Sequence, residues 1–346
     1  MPPSERPGRA GRATALGDPA PAFLAAGLDF SAYFDSDANW IIVNTVAALA
    51  ALYTGHSSTQ RARIGASAMP SDANVWTSSP GWLDRLRELY LRRETILYLV
   101  SSNLKAGHRN KALGNLWNLL DPLLSLVVYF VIFGLLFQQA RGRTGNYLTY
   151  LFIGVLAFRF LDGTIHQAVN CIRGNRGIIS EINFPKAVFP LSISLSRLYD
   201  FVWGVLVLLA AMLITHRPIT WHAAWVLPLA VVELLLVTGL AYIAAYLGAF
   251  FADTANISTV VLRLGFYASP VLYYIHGEHT RVPPSYLTVY MLNPMACLLE
   301  GYHDALVNNR EPNLGYFLYL VGFTLVTLII GYGVFNRGEG KFAKYV

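Results

Sequence analysis

Six ionisable residues, Arg159, Asp162, Arg197, Asp200, Glu233 and Arg263, fall inside runs that are otherwise apolar. Three are positive and three negative. "RFLD" (159–162) and "RLYD" (197–200) set an Arg and an Asp three residues apart, on one face of a helix. In hydrocarbon an unpaired Arg near the centre costs at least ~2.5–3.5 kcal/mol, so such charges pair with one another or face a hydrated cavity. At a rise of ~1.5 Å per residue, Arg159 lies ~18 Å in from Tyr147 and Glu233 ~12 Å in from Trp225. These depths predict that Arg159 pairs with Asp162 or with Glu233, because a stranded charge is far costlier than a matched pair. Arg197 sits nearer the end of its helix, where its long side chain can reach the head groups. A polar pathway through a helix bundle and a purely structural set of ion pairs remain equal readings.

Signatures of catalysis are missing. "NRGEGKF" (336–342) comes closest to a phosphate-binding loop, but Phe335 stands where the first Gly is needed and Phe342 where Ser or Thr is needed. There is no G-x-S-x-G elbow and no H-E-x-x-H pair. His276, His279 and His303 lie near one another in an outer loop and read as solvated rather than metal-bound. Cys171 and Cys297 are far apart and form no CxxC. No catalytic residue, metal or resident cofactor is therefore expected on this chain.

The elements that must hold these charges are membrane helices. Of 346 residues, 55% are hydrophobic and 13% charged, about half the charged share of an ordinary soluble domain. The apolar residues come in blocks, and a bilayer core of ~30 Å needs roughly 20 of them in a helix. Six segments qualify or nearly so: 118–137, 147–170, 188–214, 225–251, 255–275 and 315–335. Thirteen Lys and Arg flank one side of this arrangement and five the other, which predicts that both termini are cytoplasmic. The expected fold is thus an all-α integral membrane protein with six transmembrane helices over 118–346.

Two regions precede the first span. Residues 81–117 form a cytoplasmic amphipathic region, in which apolar residues of "WLDRLRELYLRRETILYLV" recur at helical spacing with arginines opposite. Such a helix lies along a membrane surface. Its basic groups suit anionic lipid head groups rather than nucleic acid. Residues 1–80 read as an extension that is largely disordered or peripheral, since "MPPSERPGRAGRATALGDPAPA" is rich in Pro, Gly, Ala and Arg. The apolar run 40–53 is short for a span, and Met69 offers an alternative start. Aromatic residues Phe130, Phe133, Phe137, Tyr147 and Tyr150 gather at the outer ends of the first two spans, where rings in a pore could stack on sugars.

From about residue 80 onward the chain resembles the ABC-2 type permeases, and among them the exporters of lipid-linked polysaccharide such as O-antigen and teichoic acid. The resemblance rests on "LKAGHRNKALGNLWNLLDPLL", "YLTYLFIGVLAFRF", "NRGIISEINFPKAVFPLSISLSRL", "FFADTANISTVVLRLGFYASPVLY" and "LNPMACLLEGYHDAL". The elements Gly114 to Pro122 and Asn183 to Pro190 carry most of it. Asn103 departs from the family pattern, standing where an acid is expected.

The resemblance implies a homodimer bound to two cytoplasmic ABC ATPase subunits, with ATP and Mg on those partners and none on this chain. Residues 174–185 would form a coupling helix, with Asn175, Arg176, Ile179, Glu181, Ile182 and Phe184 toward the ATPase. Residues 82–98 would form a gate helix, with Trp82, Leu86, Leu89, Arg92 and Arg93. Short re-entrant helices would occupy 276–313, and Asn293-Pro294 suits a helix start. Arg159, Asp162, Glu233, Arg263, Phe133, Phe137 and Tyr150 are the candidate channel or intramembrane polar residues. The expected function is a permease moving a lipid-linked glycan through the bacterial cytoplasmic membrane. The rivals are a lipid or drug exporter of the same class and a membrane-embedded glycosyl- or phosphotransferase.

Overall fold

The computed structural model describes residues 91, 93–108, 117–132, 144–181, 185–275 and 284–345, all within one compact unit, residues 78–346. The extension 1–80, the gate residues Trp82, Leu86, Leu89 and Arg92, and Phe133, Phe137, Ile182, Phe184, His276 and His279 lie outside the described residues.

Among the described residues every regular element is helical. They are α1 (Arg93–His108), α2 (Trp117–Tyr129), α3 (Thr144–Gly174), α4 (Arg176–Glu181), α5 (Val188–Ile214), a 3-10 turn (Trp221–Trp225), α6 (Val226–Phe250), α7 (Thr254–Tyr267), α8 (Pro284–Tyr290), α9 (Pro294–Leu306) and α10 (Leu314–Tyr345). Four stretches are long and apolar enough to cross a membrane: Tyr147–Gly174, Val188–Ile214, Trp221–Phe250 and Leu314–Phe342. They coincide with the second, third, fourth and sixth expected segments. α2 is a shorter apolar helix with Pro122 inside it.

The fifth expected segment, 255–275, departs from the reading. Its helix stops at Tyr267, and 268–275 is non-helical. Pro270 explains the break, since its ring disfavours helical backbone at Ser269 and removes an amide donor. The broken stretch is still internal: Ser269, Val271 and Ile275 are buried.

α6 is the hub. It packs most extensively on α10 and α3, and also meets α5, while α1 and α2 lean on α5. Glycines let the hub approach its neighbours backbone to backbone, as small residues do where membrane helices cross. A Cβ added at Gly331 of α10 would stand 2.2 Å from the carbonyl oxygen of Gly239 on α6, and one at Gly248 would stand 2.0 Å from that of Val169 on α3. Backbone cannot yield as a flexible side chain does. Gly331→Val should therefore lower stability by about 1–3 kcal/mol, read as a lower thermal-unfolding midpoint in detergent. Gly333→Ala, with open space around its added carbon, should leave that midpoint nearly unchanged.

Candidate functional site

Helices α1, α2, α3 and α5 line an open cavity of about 370 Å³ that mixes charged and apolar side chains. Arg159 of α3 donates through Nη2 to Asp121 Oδ2 on α2, and through Nη1 to Ser125 Oγ at 3.2 Å. Arg197 of α5 donates from Nη1 to Asp200 Oδ2 at 3.2 Å and from Nε to Gln167 Oε1 on α3 at 3.2 Å. Asn103 donates to Ser192 Oγ at 3.4 Å, joining α1 to α5 beside the cavity. Leu104, Trp117, Phe160 and Phe201 supply apolar wall.

This corrects the expected partner of Arg159, which is neither Asp162 nor Glu233 but Asp121. Counting inward from Tyr147 misled because 28 residues of span measure ~42 Å, well beyond a ~30 Å core. Arg159 instead meets α2 four residues after that helix begins at Trp117. Asp162, one turn on, approaches His166 at 3.6 Å. Glu233 is fully buried and accepts a 2.7 Å bond from Tyr302 of α9. Asp121 lies inside the expected segment 118–137 and is an ionisable residue that the six named above leave out.

A second polar group surrounds α9, whose residues from Met295 to Leu306 are all buried. The Asn293 side chain caps its start, accepting from the Met295 amide at 3.0 Å, with Pro294 in the first turn. Asp304 accepts from Arg310 Nε at 2.7 Å and from Asn308 at 2.8 Å, and Arg310 also lies 3.7 Å from Glu300. His303, expected to be a solvated loop residue, is fully buried. Its ring stacks on Tyr150 at 3.5 Å, and its Nε2 lies 3.1 Å from the Tyr150 carbonyl oxygen.

Tyr150, expected in an aromatic lining, is an internal brace. Its hydroxyl lies 3.0 Å from the carbonyl oxygen of Pro270 and 2.6 Å from that of Tyr273. Tyr147 donates to the carbonyl of Leu272 at 3.1 Å. Asn293 donates to that of Ala268 at 3.3 Å and to Ser269 Oγ at 3.1 Å. Backbone that leaves the helix thus finds side-chain donors.

The remaining expected site residues are dispersed. Arg93 opens α1. Arg263 is exposed on α7 beside Val260 and Leu264. In the link between α3 and α5, Asn175 donates to the Cys171 carbonyl at 2.8 Å, Arg176 is exposed, and Ile179 is buried in the cluster that contains Ile172, Val188 and Phe189. Glu181 ends α4. The Lys186 amide donates to Glu339 Oε1 at 2.6 Å, tying this link to the end of α10.

A polytopic helical bundle with a polar cavity and internally matched charges is the framework of a membrane transporter. Residues 94–307 match the ABC-2 type transporter family. The chain belongs to that family. It is 28% identical over 262 residues to the O-antigen export system permease protein RfbA of Myxococcus xanthus, covering 75% of this chain and 98% of that protein. It is 24% identical over 252 residues to the protein of the same name from Klebsiella pneumoniae, covering 72% and 94%. The polysialic acid transport protein KpsM of Escherichia coli is 23% identical over 233 residues, covering 66% and 86%.

Two outcomes test these contacts. Arg159→Leu should destabilise the protein by stranding Asp121, and adding Asp121→Leu should recover part of the loss. The thermal-unfolding cycle should give a coupling of about 0.5–3 kcal/mol. Tyr150→Phe keeps the ring but removes the donor to the broken backbone. It should cost about 1–3 kcal/mol, seen as faster amide hydrogen exchange across 268–275.

Proposed function

We propose that this chain is the permease subunit of an ATP-driven exporter that moves a lipid-linked polysaccharide across the bacterial cytoplasmic membrane. The observation that carries this reading is the near-complete coverage of the named O-antigen permeases, 98% and 94% of their lengths. The polar cavity beside an apolar bundle supports it, because a glycan on a lipid needs both surfaces.

In this reading the chain crosses the membrane six times, with α2 and α7 as the short crossings and both termini cytoplasmic. The stretch 268–275 with α8 and α9 is a re-entrant element, in which protein surrounds α9 and buries Ser269, Val271 and Ile275, as non-spanning backbone at that depth requires. α1 continues the gate helix. Two copies pair, and each binds an ABC ATPase subunit that supplies ATP and Mg. The link 174–185 is the coupling element, with exposed Arg176 presented by a short helix anchored through buried Ile179.

Purification from native membranes in mild detergent tests the whole reading. An ABC ATPase and a lipid that releases sugars on mild acid should co-elute. A co-eluting lipid without sugar would move the assignment to a lipid exporter. At finer grain, replacing Glu181 and Ile182 together by Ala should leave membrane insertion intact and abolish export while ATP hydrolysis continues. Export at the normal level would reduce the link to a connector.

A further inference from the structure

We propose that the cavity between α1, α2, α3 and α5 is a saccharide site that takes a neutral pyranose ring of the exported glycan within a single protomer. This rests on the export reading above and adds where, and by what chemistry, the sugar is held.

Size comes first. At about 370 Å³, the cavity falls in the ~300–1,000 Å³ range of small-molecule sites. It far exceeds the ~10–15 Å³ that one water needs.

Charge comes next. Among the described residues, the ionisable groups lining the cavity are Arg159, Asp121, Arg197 and Asp200, two of each sign. Each cation already holds a carboxylate. A phosphate would gain no net field here and would have to displace an Asp from its Arg. A sugar hydroxyl both donates and accepts, so it can bridge guanidinium and carboxylate without breaking either pair. Gln167, whose oxygen accepts from Arg197, adds an amide with the same dual capacity. That bond also fixes the Arg197 fork before a ligand arrives, which lowers the entropy cost of binding.

Openness separates this cavity from the other polar group. Side chains of the Arg159–Asp121 pair are 49% and 58% exposed, and those of Arg197–Asp200 are 33% and 41%. The carboxylates around α9 are sealed, Glu300 at 9% and Asp304 at 4%. Matched charges built only to lock helices have no reason to face a void. Trp117, partly exposed at the wall, offers an aromatic face to the apolar side of a pyranose while its polar edge stays wet.

The test uses the full chain in nanodiscs. Leu104 lines the cavity without contributing a polar side chain, and both native cysteines are buried, so Leu104→Cys gives one reactive thiol in the wall. Its maleimide labelling is timed with the methyl glycosides of mannose, galactose and rhamnose, with inorganic pyrophosphate, and with glycerophosphoethanolamine. At least one glycoside should slow labelling in a saturable way. Adding Gln167→Leu should weaken that protection about tenfold. Protection by pyrophosphate or glycerophosphoethanolamine alone would make this a head-group site and overturn the proposal, as would no protection by any glycoside. If Leu104→Cys does not fold, saturation-transfer NMR on the unaltered chain with the same probes decides the question: transfer to a glycoside supports the site and its absence overturns it. No ATPase or export is involved, so a negative result removes the saccharide site alone. A co-purified lipid without sugar removes the export reading instead.

Discussion

Buried backbone groups cannot be left without partners, and the end of α7 ahead of Pro270 imposes that constraint on the helices packed around 268–275. The carbonyls after Tyr267 leave the helical ladder in the interior. Tyr147 and Tyr150 of α3 and Asn293 ahead of α9 meet them. Tyr150 must then be held in place, which the stacked ring of His303 does. His303 in turn fixes α9, whose acids are answered by Arg310, and whose Tyr302 reaches Glu233 on the hub helix. One proline at the end of a short helix thus accounts for a run of buried polar contacts that would otherwise look arbitrary.

The two polar regions show different physics with the same residue types. Around α9 the carboxylates are enclosed, and Arg310 reaches them from the surface. Removing one partner of such a group strands the other inside the protein. Between α1, α2, α3 and α5 the charges are matched but open. The first arrangement is a fastening, the second a surface.

Much of the architecture was legible in the sequence because hydrocarbon permits few solutions. Block length marked four long spans, and Asn293-Pro294 marked the start of α9. What failed was whatever depended on which helices touch. The partner of Arg159 could not be found by measuring depth along one helix, because helices overshoot the membrane by different amounts. His303 read as a loop residue since "GYHDAL" has the polarity of a surface, whereas its burial depends on Tyr150, a partner on another helix. Tyr150 read as a lining ring because an aromatic side chain announces its area more plainly than its hydroxyl. Gly331, Gly239 and Gly248 carry no periodic signal, although they set the backbone approaches of the hub to α10 and α3.

The bond from the Lys186 amide to Glu339 has a mechanical meaning. It joins the surface link after α4 to the far end of α10, a rod of 32 residues, or ~48 Å at the usual rise. That rod meets α6 backbone to backbone where Gly331 crosses Gly239, and ring to ring where Tyr242 meets Tyr332 and Phe335. A displacement of the link would therefore reach α10 directly, through a single bond, at the end opposite to Leu314.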